Sequence, residues 1–225
     1  MFRKASRTDI RELAELWARA FPGERTVEQR VAQLEAGGVF GGVETAWIAE
    51  EAGRMLGAFR AFALTQHMHG TVYPMMGLAA VAVDETARRR GIGRALCEEA
   101  IRVARERGDV LSVLYPFRPA FYQALGWGMV GEMHVFRFRP ESLTGVRRGA
   151  VRHALPSDSK DIADCYERAA TMSNGMLRRS RRVWRHHLDA DGVHTYVTGQ
   201  DQVSGYVIVR YGRSNAPDEK PMYVR

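Results

Sequence analysis

Residues 78–96 constrain the fold more than any other part of the chain. Residues 78–83 are apolar without a break, which is typical of a strand covered on both faces of a sheet. Residues 84–90 are largely polar, and apolar residues then return at helical spacing from Ile92 onward. The segment therefore predicts a buried strand, a glycine-bearing loop and the start of a helix, within an α/β (α+β) protein.

The loop and the first turn of the predicted helix have the composition of an anion-binding site. A helix N-terminus offers unpaired N–H groups and the positive end of the helix dipole. Gly91 and Gly93 leave no side chain between that backbone and a ligand, and the arginines around them can donate to phosphate oxygens. We therefore predict a diphosphate site. Its residues are Arg88, Arg89, Arg90, Gly91, Ile92, Gly93 and Arg94.

Two other phosphate-binding motifs do not fit this segment. A P-loop requires a lysine directly after its second glycine, and no lysine lies near this glycine pair. A dinucleotide-binding fingerprint requires a third glycine at the position that Leu96 occupies. The remaining alternative to a phosphate site is an exposed, arginine-rich turn that enters an ordinary helix.

The pattern Arg88-x-x-Gly91-x-Gly93 after a strand resembles the pyrophosphate-binding motif of the GCN5-related N-acetyltransferases (GNAT). The order of predicted elements before it, one strand, two helices and three strands, is the order with which the GNAT fold begins. The resemblance implies a mixed central sheet flanked by helices, and acetyl-CoA as the cofactor. It also implies that the backbone of Val81, Ala82 and Val83 contacts the pantetheine and the acetyl carbonyl.

Residues 114–128 look like the family's Tyr-x-x-x-Gly-aromatic motif, with Tyr122 as its tyrosine. The resemblance makes Tyr122 the general acid, and Phe117 and Arg118 further cofactor contacts. A phenol that titrates near 10 carries its proton at neutral pH, so it can protonate a departing thiolate. The alternative is a tyrosine that only packs its ring in the core.

The chain then repeats its beginning. Residues 2–17 align without a gap on residues 151–166, with Arg3 over Arg152 and Asp9 over Asp158. We predict a GNAT domain at 1–140 and the N-terminal half of a second GNAT-like domain at 150–225, without a glycine motif. This tandem arrangement resembles the enhanced intracellular survival (Eis) family of N-acetyltransferases.

Compared with that family, the chain is predicted to be truncated at its C-terminus. The rest of the second domain and a third, sterol-carrier-like domain are missing, and with them the family's terminal carboxylate. No residue is therefore assigned as general base. A truncated second domain would expose a sheet edge, which predicts self-association or instability.

The remaining predicted elements locate these motifs along the chain. They are a helix over 10–20, a helix after Thr26, strands at 43–50 and 55–65, a loop at 67–74, a helix over 90–108, a strand at 110–114, a short helix at 120–125 and a strand at 127–138. His67 and His69 could line the acceptor pocket, but a solvated pair in the loop is the preferred interpretation, and neither residue is assigned a role. Phe21 and Glu24 lie where such folds admit the acceptor, and Glu24 could attract a cationic amine.

The charge of the chain favours anionic partners. It carries 33 Lys and Arg against 26 Asp and Glu, for a net charge of +7. The resemblance implies transfer of an acetyl group to a primary amine of an aminoglycoside or polyamine type of molecule, or to a lysine. The basic residues 178–185 motivate one alternative, a nucleic-acid-binding protein, although such blocks are more often a solvated helix face. The other alternative is a CoA-binding but catalytically inactive fragment.

No other cofactor or compartment is indicated. Cys97 and Cys165 show neither a disulfide pattern nor zinc-ligand spacing, so no metal is predicted. The N-terminus has no apolar targeting segment, and no stretch reaches the roughly 20 apolar residues of a membrane span. We expect a cytoplasmic protein without a membrane partner.

Overall fold

The computed structural model describes residues 1–131, 139–142, 144–145, 149–200, 202–210 and 223–224. The chain divides into two compact units, 1–130 and 131–225. The first unit contains β1 (Phe2–Lys4), α1 (Ile10–Ala20), α2 (Val27–Ala36), β2 (Ala46–Glu51), β3 (Arg54–Met68), β4 (Thr71–Val83), α3 (Ile92–Arg107), β5 (Leu111–Val113) and α4 (Pro119–Gln123).

The first unit is built on a five-stranded mixed sheet with strand order β1-β2-β3-β4-β5. The first four strands are antiparallel, and β5 runs parallel to β4. Because side chains alternate along a strand, Ala58 packs with α1 and α2 while its neighbour Phe59 packs with α3. Leu78 and Ala82 of β4 divide between the same two faces. The prediction that residues 78–83 are covered on both faces is confirmed.

Strands β3 and β4 form one long hairpin, so the predicted loop at 67–74 is wrong. The strands pair from Gly57 with Val83 to Met68 with Thr71. The turn needs only His69 and Gly70, whose φ angles are +50° and +73°. Left-handed backbone at both central residues is the geometry of a two-residue hairpin turn whose twist matches the strands. The polar composition of this segment concealed its strand character.

Two other predicted elements have different bounds. Val43–Thr45 is a 3-10 turn, so β2 begins at Ala46. Residues 127–131 do not form the predicted strand, and the rest of that prediction, 132–138, lies outside the described residues. Within the described part of the chain, no helix is both long and apolar enough to cross a membrane.

The second unit has an antiparallel sheet of order β6-β7-β8-β9 and two helices. Its elements are β6 (Arg152–His153), α5 (Ser159–Thr171), α6 (Arg181–Leu188), β7 (Val193–Thr198), β8 (Gly205–Arg210) and β9 (Tyr223–Val224). Ile162, Tyr166 and Trp184 from the helices pack with Val197 of β7. The segment 178–185 therefore includes two core positions, Val183 and Trp184, each 8% exposed.

Each unit contains its own ion pair, and the two pairs lie at equivalent positions of the repeat. Arg3 donates to both carboxylate oxygens of Asp9 at 2.8 and 2.7 Å, and Arg152 donates to both oxygens of Asp158 at 2.6 and 2.9 Å. In each unit the same carboxylate also accepts from a backbone N–H three residues earlier, at 2.7 and 2.6 Å. The pair therefore joins the first strand of each unit to the turn that precedes its first helix.

Candidate functional site

Among the described residues, none pairs with the outer edge of β4 beyond Gly77. Strand β5 pairs with β4 only over Met75–Gly77, and β4 continues for six more residues to Val83. The N–H of Asp84 donates to the Leu56 carbonyl on β3 at 2.9 Å. Because backbone groups alternate in direction along a strand, those of Val81 and Val83 point to the opposite edge, from which β5 has diverged. Two backbone N–H and C=O pairs can therefore receive an extended ligand.

A bulge in β4 lies beside this edge. Ala82 faces Ala58 and Ala79 faces Arg60, so two residues of β4, Ala80 and Val81, oppose Phe59 alone. Ala80 has φ +51°, a left-handed conformation that costs a residue with a Cβ about 1–2 kcal/mol.

A buried tryptophan of α1 contacts the bulge. The indole Nε1–H of Trp17 donates to the Ala80 carbonyl at 2.7 Å, and Trp17 is 2% exposed. This contact is not predictable from the sequence. Helical periodicity identifies Trp17 only as a core position, and an alanine carries no sequence signal for a positive φ.

The start of α3 has the properties predicted for a phosphate site. The helix begins at Ile92 after Gly91, whose φ is +80°, and no described side chain caps it. A Cβ added at Gly91 would have no atom within 4 Å. One at Gly93 would lie 3.6 Å from Cζ of Phe121 and 3.7 Å from Cγ2 of Val83. The first-turn N–H groups are therefore accessible, and they lie next to both the end of β4 and α4.

The four predicted arginines are exposed, but their partners differ. Arg90 donates to Glu51 at 2.8 Å, and Arg94 lies 3.5 Å from Glu98 one turn along α3. Arg88 and Arg89 have no side-chain ion pair or hydrogen bond to another described residue. These two can bind an anion without first breaking an ion pair.

Asp84 fixes the loop that carries these arginines. Its carboxylate accepts from the Thr86 N–H at 3.1 Å, from the Thr86 hydroxyl, from Arg54 at 3.1 Å and from Arg19 at 3.3 Å. The hydrogen bond from Thr86, and to a smaller degree the two arginines, lower the pKa of Asp84. The carboxylate is therefore charged near neutral pH and holds the turn between β4 and Arg88.

Tyr122 lies inside an aromatic cluster on α4. It is 5% exposed, and the rings of Phe117, Phe121 and Trp127 surround it with centroids at 5.8, 5.1 and 6.0 Å. All three pairs are close to perpendicular, which is a favourable arrangement for aromatic rings. The ring packing expected under the alternative is therefore present, and the role of Tyr122 as general acid stays a prediction.

Burial determines the protonation of Tyr122. It raises the pKa of the phenol to about 12, with a smaller contribution from Cys97. Cys97 lies on α3, and burial raises the pKa of its thiol to about 11. Both groups are therefore neutral at physiological pH, and the phenol keeps a proton that it can donate.

The remaining predicted residues have distinct positions. Phe117 is 72% exposed beside Tyr122, and Arg118 is exposed at the start of α4. Glu24 lies 3.6 Å from Arg30, which partly offsets its charge. His67 is 2% exposed within β3, so its interpretation as a solvated loop residue is wrong. Among the described residues, no group of three or more His, Cys, Asp or Glu could hold a metal ion.

The family described as "Acetyltransferase (GNAT) domain" matches residues 1–130, more than half of the chain. An uncharacterized N-acetyltransferase of Streptomyces avermitilis is 29% identical over 116 residues, which are 49% of this chain and 28% of that protein. N-acetyltransferase Eis of Mycobacterium tuberculosis is 30% identical over 122 residues, 50% of this chain and 30% of that protein. The chain thus matches less than a third of the length of these curated relatives.

Solved structures extend the likeness to both units. A GCN5-related N-acetyltransferase from Anabaena variabilis superposes with a TM-score of 0.75 at 21% identity, over 96% of this chain and 55% of that one. Eis1 from Mycobacterium abscessus gives 0.65 at 23% identity, over 93% of this chain and 52% of that one. At these identities the likeness concerns the fold. The predicted fold class and the resemblance to Eis proteins are confirmed.

Proposed function

The chain belongs to the GNAT acetyltransferase domain family, and from this premise we propose that its first unit transfers an acetyl group from acetyl-CoA to a primary amine. The coenzyme supplies a thioester, whose carbonyl carbon is open to attack by an amine. The acceptor is a primary amine of a small molecule of aminoglycoside or polyamine type, or of a lysine.

The described residues fit acetyl-CoA at three points. The N–H groups at the start of α3 and the side chains of Arg88 and Arg89 would bind the diphosphate. The edge groups of Val81 and Val83 would hydrogen-bond the pantetheine as an added strand does. Phe117, exposed beside Tyr122, offers an apolar surface at the same end of the site.

Tyr122 would supply the proton that the reaction needs. As the amine nitrogen bonds to the carbonyl carbon and the carbon–sulfur bond breaks, Tyr122 would donate its phenolic proton to the leaving sulfur. The amine nitrogen becomes positively charged when it bonds to the carbonyl carbon and would lose a proton as the amide forms. The phenolate would recover a proton from this nitrogen, directly or through water. Because the pKa of the phenol is raised to about 12, the protonated form is present throughout the physiological pH range.

One observation carries the proposal. Phe121 lies against Gly93 in the first turn of α3 and also against the ring of Tyr122. The predicted anion site and the predicted acid are therefore neighbours, although 28 residues separate Gly91 from Pro119 in the sequence. The alternative, an exposed arginine-rich turn that enters an ordinary helix, does not account for this position beside an unpaired strand edge and a buried phenol.

We also propose that residues 150–225 are the N-terminal half of a second GNAT-like domain without a CoA site. The repeated bidentate ion pair supports this assignment, because it joins equivalent strands and turns in both units. The first residues after β6 follow the same order, a 3-10 turn and then a helix. No glycine motif follows in the second unit.

Calorimetric titration and a turnover assay test the proposed function. CoA should bind tighter than ADP, because ADP has the diphosphate but lacks the pantetheine that would pair with β4. Acetyl-CoA with a panel of amines should then release free thiol. CoA binding without thiol release for any amine would favour the inactive fragment. Duplex DNA binding that weakens steeply with salt, without CoA binding, would favour the nucleic-acid alternative.

A further inference from the structure

We propose that Trp17 is a positioning residue for this reaction: its indole N–H fixes the bulge of β4 and thereby aims the Val81 backbone at the acetyl carbonyl. The inference rests on the proposed function. Trp17 itself would not touch the substrate, since it lies buried on the α1 side of the sheet. It acts through the carbonyl of Ala80.

The bulge needs a restraint from outside the sheet. Ala80 has a positive φ, which disfavours a residue with a Cβ, and the bulge places two residues opposite Phe59. In an ordinary register Ala80 would relax to extended backbone, and the direction of the Val81 N–H would change with it. A hydrogen bond to the Ala80 carbonyl stabilises the observed conformation against this relaxation.

Trp17 is held rigidly enough to act as this restraint. Its side chain is packed in the core formed by α1, α2 and the sheet, with Leu13, Ala58 and Ala82 in the same cluster. The donor–acceptor distance of 2.7 Å is short for an N–H···O bond. A change at Trp17 would therefore reach the site through the backbone.

The second unit offers a comparison at the equivalent position. Trp17 aligns with Tyr166, which is also buried and also donates to a backbone carbonyl, that of Leu177, at 2.6 Å. Leu177 lies between α5 and α6, not on a central strand. An aromatic donor thus occupies this position in both units, and it is directed at a bulge in the unit that has the glycine motif.

Kinetics of Trp17→Phe provide the main test, with Leu13→Ala as the matched control. Phenylalanine keeps an aromatic ring but removes the donor, whereas Leu13→Ala opens the same core from the same helix and keeps the indole donor of Trp17. We expect Trp17→Phe to lower kcat about tenfold to a hundredfold, as small misplacements of reacting groups do. KM for acetyl-CoA should change less than about threefold. Leu13→Ala should lower the melting temperature, but it should lower kcat much less than Trp17→Phe does.

A rescue variant separates positioning from packing. Glycine adopts a positive φ without strain, so Ala80→Gly in the Trp17→Phe background should restore part of the lost kcat. In the free protein, amide NMR should show that Trp17→Phe shifts the N–H resonance of Val81 while Leu13→Ala does not. This measurement needs no substrate, so it remains decisive if the wild type shows no transferase activity.

The outcomes are distinguishable. Wild-type turnover with an unchanged kcat for Trp17→Phe would overturn the inference and leave the proposed function standing. A wild type that neither binds CoA nor releases thiol would overturn the proposed function. An unaltered Val81 amide in Trp17→Phe would also overturn the inference, since the bulge would then hold its shape without the indole.

Discussion

The ring of Phe121 lies against Gly93, with its Cζ 3.6 Å from the position of an added Cβ. This contact packs α4 on the first turn of α3, so the helix that carries Tyr122 is supported by the helix turn whose N–H groups are proposed to bind phosphate. The van der Waals distance also means that a methyl group at Gly93 would be tolerated by the fold while it narrows the site. The proposed anion site and the candidate acid are therefore parts of one packed structure.

Replacement of Tyr122 by phenylalanine should separate binding from catalysis. Loss of a general acid typically lowers the rate about 10²–10⁴-fold, and the ring packing with Phe117, Phe121 and Trp127 should be preserved. CoA affinity by calorimetry should stay within about threefold of the wild type. Because the pKa of the phenol is raised to about 12, deprotonation of Tyr122 should not reduce wild-type kcat below pH 10.

A matched control for this variant is Tyr73→Phe. Tyr73 is 38% exposed on the same strand as Val83, ten residues away, or about 33 Å along an extended strand. It should leave kcat unchanged. A Tyr122→Phe enzyme with wild-type kcat would assign proton transfer to another group.

Alanine at Gly91 and at Gly108 should have the same cost in stability and different effects on binding. The two glycines flank α3, have φ of +80° and +82°, and would each place a Cβ in open space. Left-handed backbone should therefore cost each variant about 1–2 kcal/mol in the free energy of unfolding. Only Gly91→Ala should weaken CoA binding, since Gly91 precedes the proposed phosphate site.

Urea denaturation and calorimetry on both variants measure this difference. Equal loss of CoA affinity in Gly91→Ala and Gly108→Ala would indicate a general effect of instability and would place the diphosphate elsewhere.

The extent to which the sequence predicts this site depends on the kind of interaction. Gly91 and Gly93 are informative because their lack of a side chain is itself the property that the loop needs, and the motif spacing is local. Ala80 is uninformative, because its positive φ results from a hydrogen bond to Trp17, 63 residues earlier. Contacts between distant segments determine this conformation, and a single sequence does not reveal such contacts.

The hairpin of β3 and β4 shows the same limit. His67 to Pro74 is polar enough to be interpreted as a loop, yet pairing with a neighbouring strand makes most of it extended.

The repeated ion pair, in contrast, is visible in the sequence. Arg3 and Asp9 match Arg152 and Asp158 in sequence because each pair forms one local structure within six residues. Local geometry was therefore predictable, and tertiary pairing was not.

The arginines of the loop should differ in their contribution to CoA binding. Arg88→Ala or Arg89→Ala should weaken binding about tenfold, a loss near the lower end for a charge-assisted hydrogen bond because both side chains are exposed. Arg90→Ala should weaken it less than about threefold, since Arg90 must leave Glu51 to bind phosphate.

Glu51→Gln tests whether the ion pair with Glu51 is the reason that Arg90 contributes less to CoA binding than Arg88 and Arg89. It removes the competing carboxylate, so it should tighten CoA binding slightly and make Arg90→Ala more harmful in the double variant. Calorimetry at two salt concentrations measures each effect. An Arg90→Ala loss larger than that of Arg88→Ala would show that Arg90 exchanges its partner freely.

Acid should destabilise both units through the repeated ion pair. The bond from Arg3 lowers the pKa of Asp9, and the bond from Arg152 lowers that of Asp158 to about 2. Each carboxylate is ionised in the unfolded chain above a pKa of about 3.9, so the unfolded state binds more protons as the pH falls below that value. The stabilisation is therefore complete above about pH 5 and is lost as the pH falls through the native pKa values.

Asp9→Asn should reproduce this loss at neutral pH. It removes the charge that holds both guanidinium nitrogens of Arg3 and the N–H of Ser6, so the free energy of unfolding of the first unit should fall by about 2 kcal/mol. The variant should also lose stability less steeply than the wild type between pH 5 and pH 2. Glu12→Gln, an exposed carboxylate in the first turn of α1, should change neither quantity appreciably. Parallel pH curves for Asp9→Asn and the wild type would show that other carboxylates cause the acid sensitivity.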